Sequence, residues 1–197
     1  MFGYIKGELS YKDPTLVIVD VGGAGYELKI TLNTYTAIKD QTRVKLFSYL
    51  HVKEDALTLY GFYEQKEKVS FLQLLSVSGV GPSSALMALS SLNVDELNGA
   101  IAVGDVKTIQ SVKGIGAKTA QRIILELKDK IFKSDHTGKV PELEDVSHNT
   151  IREEALSALQ TLGVSKVQAE KSVTAVWKKN QGSVSLEQLI KQALKAT

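Results

Sequence analysis

The 197-residue sequence contains no cysteine, which excludes disulfides, thiolate zinc sites and cysteine-ligated iron–sulfur clusters. No stretch approaches the roughly 20 apolar residues of a membrane span. The first residues also lack the charged-then-apolar pattern of a secretory signal, so a cytoplasmic protein is expected. A large excess of one charge is missing as well: 24 basic and 22 acidic residues leave a net charge of +2, which does not by itself announce a nucleic acid. The distribution says more. Residues 107–133 hold seven Lys/Arg against two acids, whereas residues 64–106 hold two against five, so one end of the middle region is basic. What is present is an ordinary globular share of apolar residues, 43%, on a chain long enough for two or three small units.

The most informative stretch is Ser111 to Arg122, SVKGIGAKTAQR, which reads as helix, hairpin, helix. Gly114 and Gly116 flank the single apolar Ile115, leaving amides that can point outward with no Cβ in the way. Thr119, Ala120, Ile123, Ile124 and Leu127 then recur at helical spacing, so a helix N-terminus and its partial positive charge stand directly behind the glycines. Lys118 and Arg122 add cations on that helix's first turns. Fixed amide donors beside mobile cations suit a nucleic-acid backbone and read no bases. The pattern occurs once before, at SVSGVGPSSA: Ser76, Val77, Gly79, Gly81 and Ala85 align with Ser111, Val112, Gly114, Gly116 and Ala120 at a constant offset of 35 residues. A lone Gly-x-Gly is weak evidence, but a duplicated one with matching flanks is an internal repeat. In the first copy Gly79, Val80 and Gly81 would offer amides, and Ser83 or Ser84 a hydroxyl.

Around this repeat, residues 1–63 alternate apolar and polar positions over Phe2–Leu9, Thr15–Val21, Gly25–Ile30, Val44–Val52 and Ala56–Phe62, with a short helix expected at 34–39. Five strands and one helix in that place suggest an OB-type barrel. From Glu64 the spacing becomes helical. Val69, Leu72 and Leu75 are expected on the core side of the first helix, and Ala85, Leu86, Leu89 and Leu92 on that of the next. Residues 134–149 hold four acids, one lysine, a glycine and a proline without sustained period, and read as a flexible linker. Residues 150–197 read as three helices. Ile151, Ala155, Leu156, Leu159 and Leu162 form the first stripe, Gly163 closes it, and Ser165 and Ser185 start the next two. The expected class is thus a multidomain α+β protein: barrel at 1–63, all-α tandem hairpin domain at 64–133, linker, and C-terminal three-helix domain.

These features together resemble the RuvA family, the Holliday-junction-binding subunit of the bacterial branch-migration complex. The resemblance is carried by the two hairpins, by Val21–Glu27 (VGGAGYE), by Lys53–Ala56 (KEDA) with Leu59–Phe62 (LYGF), and by Glu154–Gly163 (EALSALQTLG). It implies binding of four-way junction DNA by both hairpins. It also implies an acidic pin at the barrel tip, placing Glu54 and Asp55 near the crossover, where their charge would repel phosphates. The C-terminal domain, similar to ubiquitin-associated modules, would contact a RuvB-type hexameric ATPase, with Leu159, Leu162 and Val164 as candidate contacts that fit a core role equally well. A homotetramer, alone or paired as an octamer on DNA, a RuvC-type resolvase as further partner, and a place in recombination, repair and the SOS response to DNA damage complete the implication. One departure stands out. Pro82-Ser83-Ser84 lies where the family often carries a lysine beside the proline, so the first hairpin should hold phosphate more weakly than the second.

No catalytic machinery, cofactor or metal site is expected. Gly116-Ala117-Lys118-Thr119 ends like a Walker A loop, but that motif needs glycine directly before the lysine and again five residues further upstream, where Ala117 and Val112 stand. A helix-hairpin-helix glycosylase would need a catalytic aspartate opposite a base-flipping pocket, and Asp129 is the nearest acid without a partner acid. A plain OB-fold single-strand binder would show aromatic and basic residues together on the barrel surface. Tyr4, Tyr26, Phe47 and Tyr60 instead fit strand-core alternation.

Overall fold

The structure, a computed structural model, describes residues 2–135, 145–180 and 184–196. Two compact units make up the chain, residues 1–137 and 138–197.

Five strands open the first unit: β1 (Tyr4–Lys12), β2 (Leu16–Val21), β3 (Ala24–Ile30), β4 (Arg43–Val52) and β5 (Leu57–Phe62). They close into a barrel in the order β1-β2-β3-β5-β4, with β1 returning to pair antiparallel with β4 and a short parallel pairing of β3 with β5. Closure leaves no long unpaired edge. Inward-facing Ile5, Val17, Val19, Leu28, Ile30, Val44 and Leu46 fill the interior, with Ile38 plugging one end from helix α1 (Leu32–Ile38). Thr31 starts that helix by accepting from the Thr34 amide. Strand β1 runs beyond the expected Leu9 because the register shifts between Leu9 and Tyr11, a bulge that lets pairing with β2 continue.

Helices α2 (Gln65–Leu75), α3 (Pro82–Ser91), α4 (Val94–Val103), α5 (Val106–Gln110) and α6 (Ala117–Asp135) follow. The expected core face of α2 is corrected. Val69 and Leu72 are 45% and 37% exposed, while Glu67, Ser70, Phe71 and Leu74 face inward. The reason is the barrel itself: Phe71 is drawn against Phe62, Tyr60 and Tyr49, with ring centroids 4.9, 5.1 and 5.8 Å away, and this rotates the helix. Barrel residues Tyr60 and Phe62 therefore share one core with the helices, and the change of secondary structure near residue 63 is not a break in packing. Helices α3 and α4 bury Ala85, Ala88, Leu89, Leu97, Ala100 and Ile101, and Asn93 starts α4 with a reciprocal capping box to Glu96.

Of the barrel aromatics, Tyr60 is buried and Tyr26 packs partly buried against the core, as expected, whereas Tyr4 departs from expectation. Tyr4 is 54% exposed, and the Lys45 ammonium lies 4.5 Å from its ring centre and 5.1 Å from that of Phe47. An aromatic and basic patch thus does exist on the outer face of β1 and β4.

Of the expected linker, Ser134 and Asp135 belong to the end of α6, and residues 145–149 to the start of α7 (Asp145–Thr161); residues 136–144 lie outside the described residues. The second unit packs α7, α8 (Lys166–Lys179) and α9 (Leu186–Lys195) around Ala155, Leu159, Ala169, Val173, Leu189 and Ala193. Helical spacing from Leu189 places Leu194 inside, but Ala193 is the buried residue near the end of α9 and Leu194 is 41% exposed. Among the described residues, no helix is long and apolar enough to cross a membrane.

The tightest backbone approach in the barrel is at Gly7, where an added Cβ would sit 2.0 Å from the Asp20 carbonyl oxygen. Gly7→Ala is expected to destabilise the chain by about 3 kcal/mol or more, because backbone must move to admit it. Gly3→Ala, which meets nothing within 4 Å, should be near neutral. Denaturant unfolding of the two variants checks the contrast.

Candidate nucleic-acid interface

The 35-residue repeat is reproduced atom by atom in the two hairpins. The Ser76 hydroxyl donates to the Gln73 carbonyl at 2.7 Å, and the Ser111 hydroxyl to that of Thr108 at 2.7 Å. The Val80 amide donates to Val77 at 3.1 Å, as Ile115 does to Val112. Ala85 donates to Gly81 and Ala120 to Gly116, both at 2.9 Å, opening the helix behind each turn. Gly79 and Gly114 have the same φ of +91°, a conformation other residues rarely adopt. Gly81 and Gly116 do not share it: Gly81 is extended, and nothing lies within 4 Å of a Cβ at either. The first glycine of each pair makes the turn and the second keeps the surface open.

Val80 and Ile115 are 7% and 4% exposed. Their side chains are core anchors, and the expectation that the Val80 amide meets phosphate is corrected: that amide is donated to Val77, as the Ile115 amide is to Val112. Anchoring from below leaves the glycine amides on the outside, and among the described residues those of Gly79, Gly81, Gly114 and Gly116 have no acceptor. The hairpins also face each other reciprocally. A Cβ at Gly79 would lie 3.9 Å from the Thr119 hydroxyl, and one at Gly114 would lie 3.8 Å from that of Ser84, its repeat counterpart. Two helix N-termini and two amide loops thus form one continuous surface suited to phosphates.

Lys118 is exposed on the first turn of α6, and Ser83 is exposed on α3. Arg122 differs from expectation. Its guanidinium donates to the Ser78 carbonyl at 3.1 Å and lies 3.9 Å from the Glu126 carboxylate, so it ties the second motif to the first hairpin and is not a freely swinging cation. Lys113, exposed one residue before Gly114, is a cation at the hairpin that spacing arguments passed over, because its repeat counterpart is the uncharged Ser78.

At the far end of β4 and β5, the Lys53 amide donates to the Ala56 carbonyl at 2.9 Å and closes a tight turn on whose tip Glu54 and Asp55 are both exposed. Val52 and Leu57, paired across the strands just below, are 64% and 72% exposed. In the second unit, Leu159 is fully buried and unavailable to a partner, and Val164 is partly buried. Leu162 stands out at 62%, beside Gly163 and close in sequence to Val167 at 64%, which periodicity did not single out. Among the described residues, no group of three or more His, Cys, Asp or Glu side chains is placed to hold a metal ion.

Barrel and paired hairpins define a tandem helix-hairpin-helix protein, and the family models agree in chain order: the RuvA N terminal domain at residues 1–61, the SAM-like helix-hairpin-helix tandem at 71–129, and the RuvA C-terminal domain at 150–196. The chain is 55% identical over 197 residues to the Holliday junction branch migration complex subunit RuvA of Cytophaga hutchinsonii, covering 99% of each. It is 51% identical over 196 residues to that of Amoebophilus asiaticus, covering 99% of this chain and 100% of the relative. It is 49% identical over 195 residues to that of Christiangramia forsetii, covering 99% of each. The chain belongs to the RuvA family.

The asymmetry within each glycine pair is testable in the protein alone. Gly79→Ala and Gly114→Ala should each cost about 1–2 kcal/mol, the strain of a left-handed L-residue. Gly116→Ala should stay within about 0.5 kcal/mol of the parent. Urea unfolding of the three variants measures both.

Proposed function

We propose that this chain binds four-way DNA junctions through their phosphates without reading sequence, holds them open, and delivers them to a RuvB-type hexameric ATPase for branch migration in recombination and repair. The observation that carries this reading is the pair of matched hairpins, whose unpaired glycine amides share one surface in a chain of the RuvA family. Catalysis belongs to the motor. In the glycosylase alternative Asp129 would need to face a pocket, yet it is exposed on α6.

The remaining assignments follow from exposed groups. Lys118 and Lys113 supply cations at the second hairpin, while the first relies on amides and the Ser83 hydroxyl. Glu54 and Asp55 form a pin that repels phosphates from the centre and disfavours continuous duplex. Exposed Tyr4, Val69 and Leu72, an apolar face that an isolated chain would leave wet, support self-association into a homotetramer whose symmetry matches a four-armed ligand. Leu162 and Val167 are the apolar groups of the second unit best placed for the motor.

Two measurements test the reading. Lys118→Ala should reduce the slope of log affinity against log salt by roughly 0.9 per lost phosphate contact in each protomer, and an unchanged slope would place Lys118 off the DNA. The double change Glu54→Gln and Asp55→Asn should raise affinity for linear duplex more than for a four-way junction, most strongly at low salt where screening is weakest. Titration of both DNA forms at two salt concentrations decides it, and a constant ratio would leave these acids as solvated turn residues.

A further inference from the structure

One buried charge in the first unit is not used by any role assigned so far. Glu67, in the first turn of α2, is 5% exposed, and its carboxylate accepts hydrogen bonds from the hydroxyls of Thr31 and, at 2.6 Å, Thr34. Both threonines belong to the start of barrel helix α1. Their oxygens are already acceptors: the Thr34 amide donates to Thr31 Oγ1 at 3.0 Å, and the Tyr63 amide to Thr34 Oγ1 at 3.0 Å. Each hydroxyl proton is thereby directed at a different carboxylate oxygen, so the network has one polarity and needs an acceptor at both positions.

The same short helix is tied on its other side. The Leu32 amide donates to Ser90 Oγ at 3.2 Å, and the Asn33 side-chain amide donates to the carbonyls of Leu89 and Leu92 at 2.6 and 3.3 Å. These acceptors lie at the end of α3, whose opposite end begins at the first hairpin. A buried carboxylate is costly, and a purely cohesive seam would be better served by apolar side chains. Here two directional bonds hold α1, and the barrel with it, at one setting against the hairpin-bearing helices.

We infer that Glu67 is a positioning residue, which through Thr31 and Thr34 sets where the barrel and its acidic tip stand relative to the two hairpins. This rests on the proposal that Glu54 and Asp55 discriminate junction from duplex. Burial pushes the Glu67 carboxyl above the usual carboxylate range, with the Thr31 and Thr34 bonds pulling it back, Glu64 raising it and Lys66 lowering it. A folded-state value raised above the unfolded one means stability falls as pH rises between the two, and a Glu67→Gln variant should lose that slope.

The test measures affinity for a four-way junction and for linear duplex with the same arm sequence, alongside thermal unfolding, in the parent and in Glu67→Gln, Glu67→Ala and Thr34→Val. Duplex affinity should stay within about twofold, since the hairpins are untouched, while the junction-to-duplex ratio falls about fivefold in Glu67→Ala, about 1 kcal/mol. Glu67→Gln, which keeps one acceptor, should recover part of the ratio. If Glu67→Ala does not fold, Thr34→Val removes the Thr34 bond to Glu67, and with it the bond accepted from the Tyr63 amide, at nearly constant volume and carries the same expectation to a smaller degree. A lowered melting temperature with an unchanged ratio would overturn the inference and leave Glu67 a stability residue. The Glu54→Gln/Asp55→Asn protein in the same assay separates the two ideas. If it alone alters the ratio, the tip acts and Glu67 does not position it; if it too leaves the ratio unchanged, the tip reading fails and the inference falls with it.

Discussion

The constraint on which the structure depends is the anchoring of Val80 and Ile115 in the core beneath their hairpins. The plugged residue turns its own amide back onto Val77 or Val112, and the amides of the flanking glycines stay on the surface, where a ligand or water can satisfy them. Val77 and Val112 at the entrances, and Ala85 and Ala120 on the emerging helices, are equally buried, and these small side chains let the two motifs pack closely. The cross-approach of Gly79 to Thr119 and of Gly114 to Ser84 is the local sign of that packing, and Arg122 bonded to Ser78 ties it from outside.

The barrel is joined to this arrangement by two kinds of contact with different consequences. The rings of Phe62, Phe71, Tyr60 and Tyr49 supply apolar burial, which is strong but weakly directional. The bonds from Thr31 and Thr34 to Glu67 add direction at the cost of burying a carboxylate. Apolar cohesion and directional bonding therefore reside in separate residues.

Much of the fold was legible because its signals are local. Strand alternation with glycine turns marks the barrel, and the repeated glycine, valine and alanine positions mark both hairpins. The misreadings have a common cause in long-range partners. Periodicity sees apolar residues only, so it placed Val69 and Leu72 in the core and had no means to bury Glu67, whose partners Thr31 and Thr34 lie 36 and 33 residues away. Arg122 looked like a free cation because its acceptor, Ser78, is 44 residues distant. Val80 is expected from the glycine pattern to offer its amide, and only the folded turn shows that amide closing onto Val77 while the side chain enters the core. Leu159 and Leu162 share a helical stripe, and only packing against α8 and α9 separates the buried one from the exposed one.

The central claim is that recognition is of junction shape through phosphates. It is tested most directly by equilibrium binding of the unmodified protein to two immobile four-way junctions of unrelated sequence, and to linear duplexes built from the same arms, at one fixed salt concentration. The account predicts affinities for the two junctions that agree within about twofold and clearly exceed those for both duplexes. A strong preference for one junction sequence, or duplex binding as tight as junction binding, would contradict it.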